Sequence, residues 1–344
     1  MLSPLFSHLL IPFLMAMFLA INMGGSGTAP AFSAAYGSNV IRRSIIPGVF
    51  GIMVFIGAIV AGKGTATTIG KGLLAPEMMT FELVSIILFA IAISLLIANL
   101  VGIPQSTSQS TVFAVSAAAF YYHSLNSQKL LLEIVPTWFI LPVISFVVCF
   151  LIGKYIYKPL RKKGYTISHK VNESPILKSA IVIMSMYVAF SIGANNVANA
   201  AGPIASMTAN ELGIGLDENF TLIMIIATLI VAPCFGIGSS LFGHKLVRKT
   251  GKEILLFGRV EAVIIAFVSA SLLLMASITK GIPTSLVQLN VAAILGIGVS
   301  KLGFKNIFKK TEVNKFFLMW IFAPIIASTI TILCIVIAEK TGII

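Results

Sequence analysis

The chain is divided into ten apolar segments, and most of them are long enough to cross a lipid bilayer. They cover residues 4–41, 44–62, 79–101, 104–121, 130–152, 178–209, 219–243, 256–279, 282–300 and 315–338. About 20 apolar residues span the hydrocarbon layer as a helix. Backbone polar groups must be satisfied internally in lipid, so helices are the expected elements. We therefore predict an all-α, polytopic membrane protein, with half-spans of re-entrant hairpins after Pro104 and Pro283.

Composition excludes the main soluble classes. Apolar residues make up 58% of the chain and charged residues only 10%, which leaves too little charge for the surface of a soluble domain. The three cysteines lie inside apolar runs without a CxxC or Cys/His spacing, so we expect neither a disulfide framework nor a metal site, and no cofactor. The first apolar segment has no basic stretch before it and further spans after it. It is therefore expected to be a membrane helix and not a cleaved signal peptide.

The two halves of the chain carry matching anchors in the same order. The pairs are Gly24 with Gly193, Glu82 with Glu261, Gly-Ile-Pro at 102–104 with 281–283, and Trp138 and Pro142 with Trp320 and Pro324. With five segments in each half, the second half would enter the membrane from the opposite side. We predict two inverted-topology repeats, residues 1–152 and 178–344, joined by a basic linker at 153–177.

The positive charges predict the orientation. If the linker is cytoplasmic, 19 of the 24 Lys and Arg residues fall on cytoplasmic loops or flanks, four fall outside, and Lys280 is left over. An excess of this kind marks the cytoplasmic side of a membrane protein. The net charge of +13 is thus a topology signal and does not indicate nucleic-acid binding. We expect a multi-pass plasma-membrane protein with both termini outside.

Glycine-containing stretches interrupt two apolar segments at mid-depth, at residues 24–28 and 193–200. We predict that each breaks its helix, because irregular backbone in a membrane faces protein or a hydrated cavity and marks substrate sites of transporters. Helices are also predicted to restart after the two Gly-Ile-Pro motifs, where hydroxyl side chains follow the proline. Four helix N-termini with positive dipole ends would converge on a small oxyanion. The alternative is that these hydroxyls are ordinary caps and that the small residues allow close helix packing.

The predicted substrate-binding residues come from these four places. They are Gly25, Ser26, Gly27, Thr28, Ser106, Thr107, Ser108, Gln109, Asn195, Asn196, Asn199, Lys280, Thr284, Ser285 and Gln288. Lys280 would neutralise a dianion if it were buried, and the alternative is a lysine that reaches the outer surface. Glu82 and Glu261 lie at helix starts, where acidic residues usually stabilise the dipole, and proton coupling is the alternative role.

The motifs resemble those of the inorganic phosphate transporter (PiT) family. Residues 193–200 are similar to the family's G-A-N-D-V-A-N-A signature, and residues 102–109 resemble its G-[LI]-P-x-S-T-[TS]-H element. The resemblance covers both halves and implies an inverted-repeat fold, a central oxyanion site built from these motif pairs, and ion-coupled uptake. The pattern is most similar to the sulfate-carrying branch, the CysP-type sulfate permeases. The resemblance and the apolar surface also favour a homodimer.

The departures from the family pattern bear on the substrate. The signature aspartate is replaced by Asn196 in one copy and Gly27 in the other, the motif histidine is replaced by Gln109 and Gln288, and Pro30 stands where the first copy would carry its last asparagine. Sulfate has no proton to donate at neutral pH, so a carboxylate would repel it. Phosphate carries an O–H, and leaving that donor unpaired costs about 1–3 kcal/mol. The substitutions favour sulfate.

We therefore predict secondary active uptake of sulfate, with thiosulfate as a further substrate, by alternating access. Importing a dianion against 100 mV costs about 4.6 kcal/mol, so cation symport is expected. Without the aspartates, protons are favoured over sodium. A phosphate symporter of the same family and a passive anion channel remain as alternatives. A membrane enzyme is disfavoured, because no nucleophile–base–acid set or metal-ligand cluster lies in the apolar segments.

Overall fold

The computed structural model describes residues 4–101, 105–157, 174–244, 247, 258–308 and 311–344. The described part of the chain is helical throughout and contains no β-strand. Seven of its helical spans are long and apolar enough to cross a membrane, and an eighth results if the bent pair 46–61 and 63–72 is one span. The prediction of an all-α, polytopic membrane protein is confirmed.

In the first half, α1 covers Pro4–Gly37, α2 covers Ile46–Ala61 and the short α3 covers Lys63–Thr67. A π-helical turn extends α3 over Thr68–Gly72, and a 3-10 turn follows at Pro76–Met78. Then come α4 (Phe81–Val101), α5 (Thr107–Tyr121) and α6 (Val135–Ile152), the last flanked by π-helical turns at Lys129–Ile134 and Gly153–Tyr157.

In the second half, α7 covers Pro175–Asn196, α8 covers Ala198–Glu211 and α9 covers Leu216–Val231. The next helix, α10, covers Pro233–Gly238 and continues as a π-helical turn over Ser239–Gly243. It is followed by α11 (Arg259–Thr279), α12 (Leu286–Leu302), α13 (Phe304–Phe308) and α14 (Thr311–Lys340). Each of the ten apolar segments thus corresponds to a helical element, and α5 and α12, with 15 and 17 residues, are the short ones.

The predicted helix break at Gly24 is wrong. Helix α1 runs without interruption through residues 24–28. The second predicted break is reduced to a single residue, Val197, whose φ of −60° and ψ of −33° stay in the right-handed helical region. The physical reason is that glycine here permits close packing and does not unwind the backbone: a Cβ added at Gly24 would collide with the Phe235 carbonyl, and one at Gly193 with the Val54 carbonyl.

A sharp bend occurs elsewhere, between α2 and α3 at Gly62, where the two helical pieces meet at 73°. The bent segment packs closely on the second half. Gly64 lies against Gly281 at the end of α11, and Ser206 of α8 donates to the carbonyl of Gly70 at 2.7 Å. The Gly70 carbonyl, in the π-helical turn beyond the bend, is therefore satisfied by the second half, as a membrane interior requires.

The two predicted helix restarts are present. Ser106 caps α5 and Ser285 caps α12, and each hydroxyl accepts a hydrogen bond from a backbone N–H three residues on, that of Gln109 or Gln288, at 3.3 Å. Before α12, Gly281 has a φ of +61°, a left-handed conformation that glycine adopts without penalty. The corresponding residues 102–104 lie outside the described residues.

The halves 1–152 and 178–344 share one interior. Helix α2 packs on α7, α5 on α14, and α6 on α12. The Trp138 indole N–H donates to the Pro283 carbonyl at 2.8 Å, and the Ser145 hydroxyl donates to that of Leu289 at 2.8 Å. The inverted relation of the halves stays a prediction.

Candidate functional site

Asn195 is the centre of a fully buried polar cluster. Its Oδ1 accepts hydrogen bonds from the Ser108 hydroxyl and the Thr284 backbone N–H, both at 3.1 Å. Its Nδ2 donates to the Ser277 hydroxyl at 2.8 Å and to the Ile282 carbonyl at 3.2 Å. These four bonds use the full capacity of the amide, so the side chain can hold only one orientation.

This arrangement joins two helix N-termini through one side chain. Ser108 lies in the first turn of α5, and Thr284 directly precedes Ser285, the cap of α12. The N-terminus of a helix carries free N–H groups and a partial positive charge, both of which favour an anion. Two of the four predicted helix starts are therefore brought together, one from each half of the chain.

Asn199, one turn beyond Asn195, extends the cluster towards α1. Its Nδ2 makes a long hydrogen bond of 3.5 Å to the Ser108 hydroxyl and lies 3.9 Å from the Met23 sulfur. Its Oδ1 is buried without a hydrogen-bond partner. A buried acceptor that lacks a partner calls for an explanation such as water or a bound ligand.

Three further predicted residues have the same property. Asn196, Gln109 and Gln288 are buried, and the amide oxygen of each has no hydrogen-bond partner. Asn196 directly follows Asn195 and Gln109 directly follows Ser108, so both border the cluster along the chain. Gln109 and Gln288 occupy equivalent places in the first turns of α5 and α12. An amide can turn to present either its N–H or its oxygen, so these side chains can donate or accept.

The cluster contains no carboxylate among the described side chains. Their acids lie near helix ends: Glu133 pairs with Lys129, Glu211 lies near His8, Glu261 pairs with Lys301, Glu339 accepts from Tyr121 and Tyr122, and Glu77 and Glu82 lie in first turns. The polarity of the cluster therefore comes from hydroxyls, amides and backbone.

Tyr122, at the end of α5, lies outside the cluster and donates to Glu339. Burial, and then the charge of Glu339, raise the pKa of Tyr122 to about 12, so this phenol remains a neutral donor.

The predicted site residues of α1 do not join the cluster around Asn195. Ser26 donates to the Met23 carbonyl at 3.1 Å and Thr28 to the Gly24 carbonyl at 2.6 Å, so both hydroxyls bond to their own helix. Gly25 lies against the Phe242 ring, and Gly27 against Phe50 and Ile192. Because α1 is continuous, the expected free N–H groups at residues 24–28 do not arise, and α1 contacts the cluster through Met23.

Lys280 and Thr107 complete the predicted set. Lys280 is the exposed C-cap residue of α11, so its side chain does not lie buried beside the cluster, and the alternative of a lysine at the membrane surface fits. Thr107 is buried in the first turn of α5, where its carbonyl accepts from the Thr111 hydroxyl at 3.0 Å.

Sequence reasoning missed several polar partners. Ser277 of α11 fixes the Asn195 amide, but a serine in an apolar helix carries no distinctive signal. Asn99 of α4 donates to the Asn22 carbonyl of α1 at 2.9 Å. Asparagines inside apolar segments are unusual, so this pair could have been found from the sequence.

The two symmetric glutamates also differ. Glu261 is buried and its Oε1 lies 2.7 Å from Lys301 Nζ, whereas Glu82 is only partly buried in the first turn of α4. Glu261 is thus part of an ion pair between the start of α11 and the end of α12. A role of either glutamate in coupling stays a prediction.

Comparisons with known proteins agree with this architecture. The model of the PHO4 phosphate transporter family matches residues 23–331. The chain is 32% identical over 324 residues to the sulfate permease CysP of Bacillus subtilis, covering 94% of this chain and 86% of that protein. It is 26% identical over 396 residues to a putative phosphate permease of Thermococcus kodakarensis, covering 94% and 96% of the two chains.

A solved structure has the same fold. It is described as the sodium-dependent phosphate transporter, and it aligns with a TM-score of 0.80 at 21% identity over 97% of this chain and 99% of that one. The family match covers most of the sequence, including both glycine-containing stretches and both helix restarts. The chain belongs to the phosphate transporter family PHO4.

Proposed function

We propose that this membrane transporter is a sulfate permease that takes up inorganic sulfate, and also thiosulfate, by secondary active transport. The observation that carries the proposal is the carboxylate-free cluster around Asn195, where one buried amide joins the N-termini of α5 and α12. Hydroxyls, amides and helix N-termini stabilise a fully ionised oxyanion, and a carboxylate would oppose it. The similarity to a sulfate permease over 94% of the chain supports the same choice.

Coulomb's law gives the size of the repulsion between a carboxylate and bound sulfate. Two unit charges 4 Å apart interact by about 4 kcal/mol at an effective dielectric constant of about 20. A carboxylate at position 196 would therefore weaken sulfate binding strongly, and the neutral Asn196 removes that repulsion. Because the amide can also donate an N–H, the same position can contribute a hydrogen bond to a sulfate oxygen.

Phosphate is the second candidate, and a specific observation favours it. The amide oxygens of Asn196, Asn199, Gln109 and Gln288 are buried without partners, and any of them could accept the proton of hydrogen phosphate. Relatives described as putative phosphate permeases add weight. We favour sulfate for two reasons. An amide can turn to donate its N–H to sulfate as easily as it can accept the proton of phosphate, so the amides do not discriminate between the two. The absence of carboxylates does discriminate, because a carboxylate would suit a protonated anion and repel sulfate.

The proposal includes coupling and orientation. Uptake of a dianion into a negative-inside cell needs a cation, since two charges at 100 mV cost about 4.6 kcal/mol. We assign this role to protons, because the described cluster offers no carboxylates for a sodium ion. We place the linker 153–177 in the cytoplasm and both termini outside, and expect two copies to form a homodimer in the plasma membrane.

Uptake of labelled sulfate into proteoliposomes tests the substrate. We expect accumulation driven by an inward proton gradient, inhibition by excess thiosulfate, and little inhibition by the same excess of phosphate. A phosphate transporter would give the opposite competition, with uptake abolished by phosphate and spared by thiosulfate. A channel would never accumulate sulfate beyond its electrochemical gradient. Dependence on sodium that survives collapse of the proton gradient would contradict proton coupling.

A further inference from the structure

A cleft lies between four helices that also carry the polar cluster. Its walls come from α1, α7, α11 and α12. The cleft is narrow: it measures about 430 Å³ only when its opening to the surroundings is included, and its enclosed part is about 20 Å³, room for one water molecule. Most of the lining is apolar, and Ser185 and Asn290 are the polar side chains among the described lining residues. The same helices carry Met23, Asn195 and Ser277 and the cap residue Ser285.

The cleft lies to one side of the cluster along the helix axes. Ser185 is ten residues from Asn195 in α7, and Ala266 is eleven residues from Ser277 in α11, which is about 15 Å in each case. Asn290 of α12 is six residues beyond Thr284, about 9 Å along the axis. The cleft therefore comes nearest to the cluster at α12 and extends towards the N-termini of α7 and α11.

The far end of the cleft carries basic residues. Lys178, Arg259 and Lys301 lie at the ends of α7, α11 and α12 towards which the cleft extends. Positive residues of this kind accumulate on the cytoplasmic side of membrane proteins. The cleft thus lies between the polar cluster and the face that the charge distribution assigns to the cytoplasm.

A hydrogen bond joins α11 to α1 at the outer end of the cleft. Arg259 Nη2, at the start of α11, donates a hydrogen bond of 3.1 Å to the Ser38 carbonyl at the end of α1. Ala262, three residues after Arg259, and Ala34, four residues before Ser38, both line the cleft. The guanidinium therefore bridges two walls of the cleft at its outermost turn.

We infer that this cleft is the cytoplasmic vestibule of the anion path and that Arg259 is the cationic gate residue at its mouth. The inference rests on the proposed function. An anion arriving from the cluster is a stronger hydrogen-bond acceptor than the neutral Ser38 carbonyl, because both partners of the new bond are charged and an oxyanion can accept two parallel N–H bonds from the guanidinium. The anion can thus replace the carbonyl on the guanidinium, and the contact between α11 and α1 opens as the anion leaves.

Cysteine accessibility tests the vestibule. In a variant in which Cys149, Cys234 and Cys334 are replaced by alanine, Ala266→Cys places a thiol in the cleft. The matched control, Phe267→Cys, places one on the adjacent residue of α11, which is 54% exposed on the outer surface of the protein. A charged, membrane-impermeant thiol reagent is added to right-side-out and inside-out vesicles.

We expect Ala266→Cys to react from the cytoplasmic side only, and sulfate to slow the reaction, while Phe267→Cys remains unreactive in lipid. Reaction of Ala266→Cys from the outside only, or no faster than Phe267→Cys from either side, would overturn the vestibule. Ala34→Cys in α1 provides a second cleft position if the first variant does not fold. The sidedness of the labelling needs no transport, so cytoplasmic-only reaction of Ala266→Cys, unaffected by sulfate, in a protein without sulfate uptake would refute the proposed function and leave the vestibule intact.

Charge variants test the gate. Arg259→Gln should speed labelling of Ala266→Cys and reduce sulfate exchange about tenfold, since a hydrogen bond to a charged group is lost. Arg259→Lys keeps the charge and should restore most of the exchange. Equal exchange in the Gln and Lys variants, or unchanged labelling in the Gln variant, would overturn the role of Arg259 while leaving the vestibule intact.

Discussion

The neighbouring residues Asn195 and Asn196 differ in their hydrogen bonding. Asn195 makes four hydrogen bonds and connects parts of the chain that are 87 and 89 residues away, so it holds the cluster together. Asn196 is 7% exposed, and its oxygen is buried without a partner. Asn195 is thus a positioning residue, whereas Asn196 is available to a ligand.

Asn196→Asp tests the role of charge at this position. We expect the apparent affinity for sulfate to fall about tenfold or more, because a buried carboxylate near a dianion is repelled by several kcal/mol. Phosphate uptake should rise relative to sulfate, since the new carboxylate can accept the phosphate proton. Competition uptake in proteoliposomes measures both effects.

Asn219→Asp is the matched control for that variant. Asn219 lies in the first turn of α9, where its Nδ2 donates to the Gly215 carbonyl of its own turn. The added charge is the same, but it lies near a helix N-terminus, where it is tolerated. Sulfate affinity that is equal in the two variants would contradict the argument that the site excludes carboxylates.

At the level of elements, the signature glycines act as packing contacts between helices. Gly193 of α7 faces the Val54 carbonyl of α2, and Gly57 of α2 faces the Phe190 carbonyl of α7, so the two backbones approach closely at two successive levels. Small residues permit such approaches, which drive helix association in membranes. The chain bends sharply at Gly62, where the atoms closest to an added Cβ belong to Ala58 of the same helix.

Gly193→Ala tests this packing. An added Cβ would meet the Val54 carbonyl, and overpacking of this kind typically costs about 1–3 kcal/mol. The control is Gly48→Ala in α2, where a Cβ meets nothing within 4 Å and alanine favours the helix by up to about 1 kcal/mol. Thermal unfolding in detergent should show a lower Tm for the first variant and an equal or higher Tm for the second. Equal losses in both would contradict a packing role.

At the level of the whole molecule, the halves are packed into each other. The first half contributes Ser108 and the second half contributes Asn195 and Thr284 to one hydrogen-bonded cluster. Further bonds cross between the halves at Trp138 and Ser145. Neither half alone can bury the faces that α2, α5 and α6 present to the other.

A split chain tests this dependence. Residues 1–165 and 166–344 expressed separately should each aggregate or be degraded, because large apolar and polar faces remain uncovered. Co-expression should yield a complex that co-purifies and takes up sulfate. Size-exclusion chromatography in detergent and uptake assays measure the result. A single half that is monodisperse and stable would contradict one shared interior.

The sequence by itself determined the membrane class, the ten helical segments, the family and the capped helix starts at Ser106 and Ser285. These follow from local properties, namely segment apolarity and the hydrogen bond from a cap to a nearby N–H. It also identified Ser108, Asn195, Asn199 and Thr284, which the structure brings into contact.

Only the tertiary structure decided which glycines bend the chain, where Lys280 points and which partners fix Asn195. Inside a membrane a helix keeps its internal hydrogen bonds unless neighbouring protein replaces them. Whether a glycine unwinds the backbone or serves as a packing contact therefore depends on the helix opposite. At Gly24 and Gly193 the helix opposite presents a carbonyl at close range, and the backbone stays helical, whereas at Gly62 it bends.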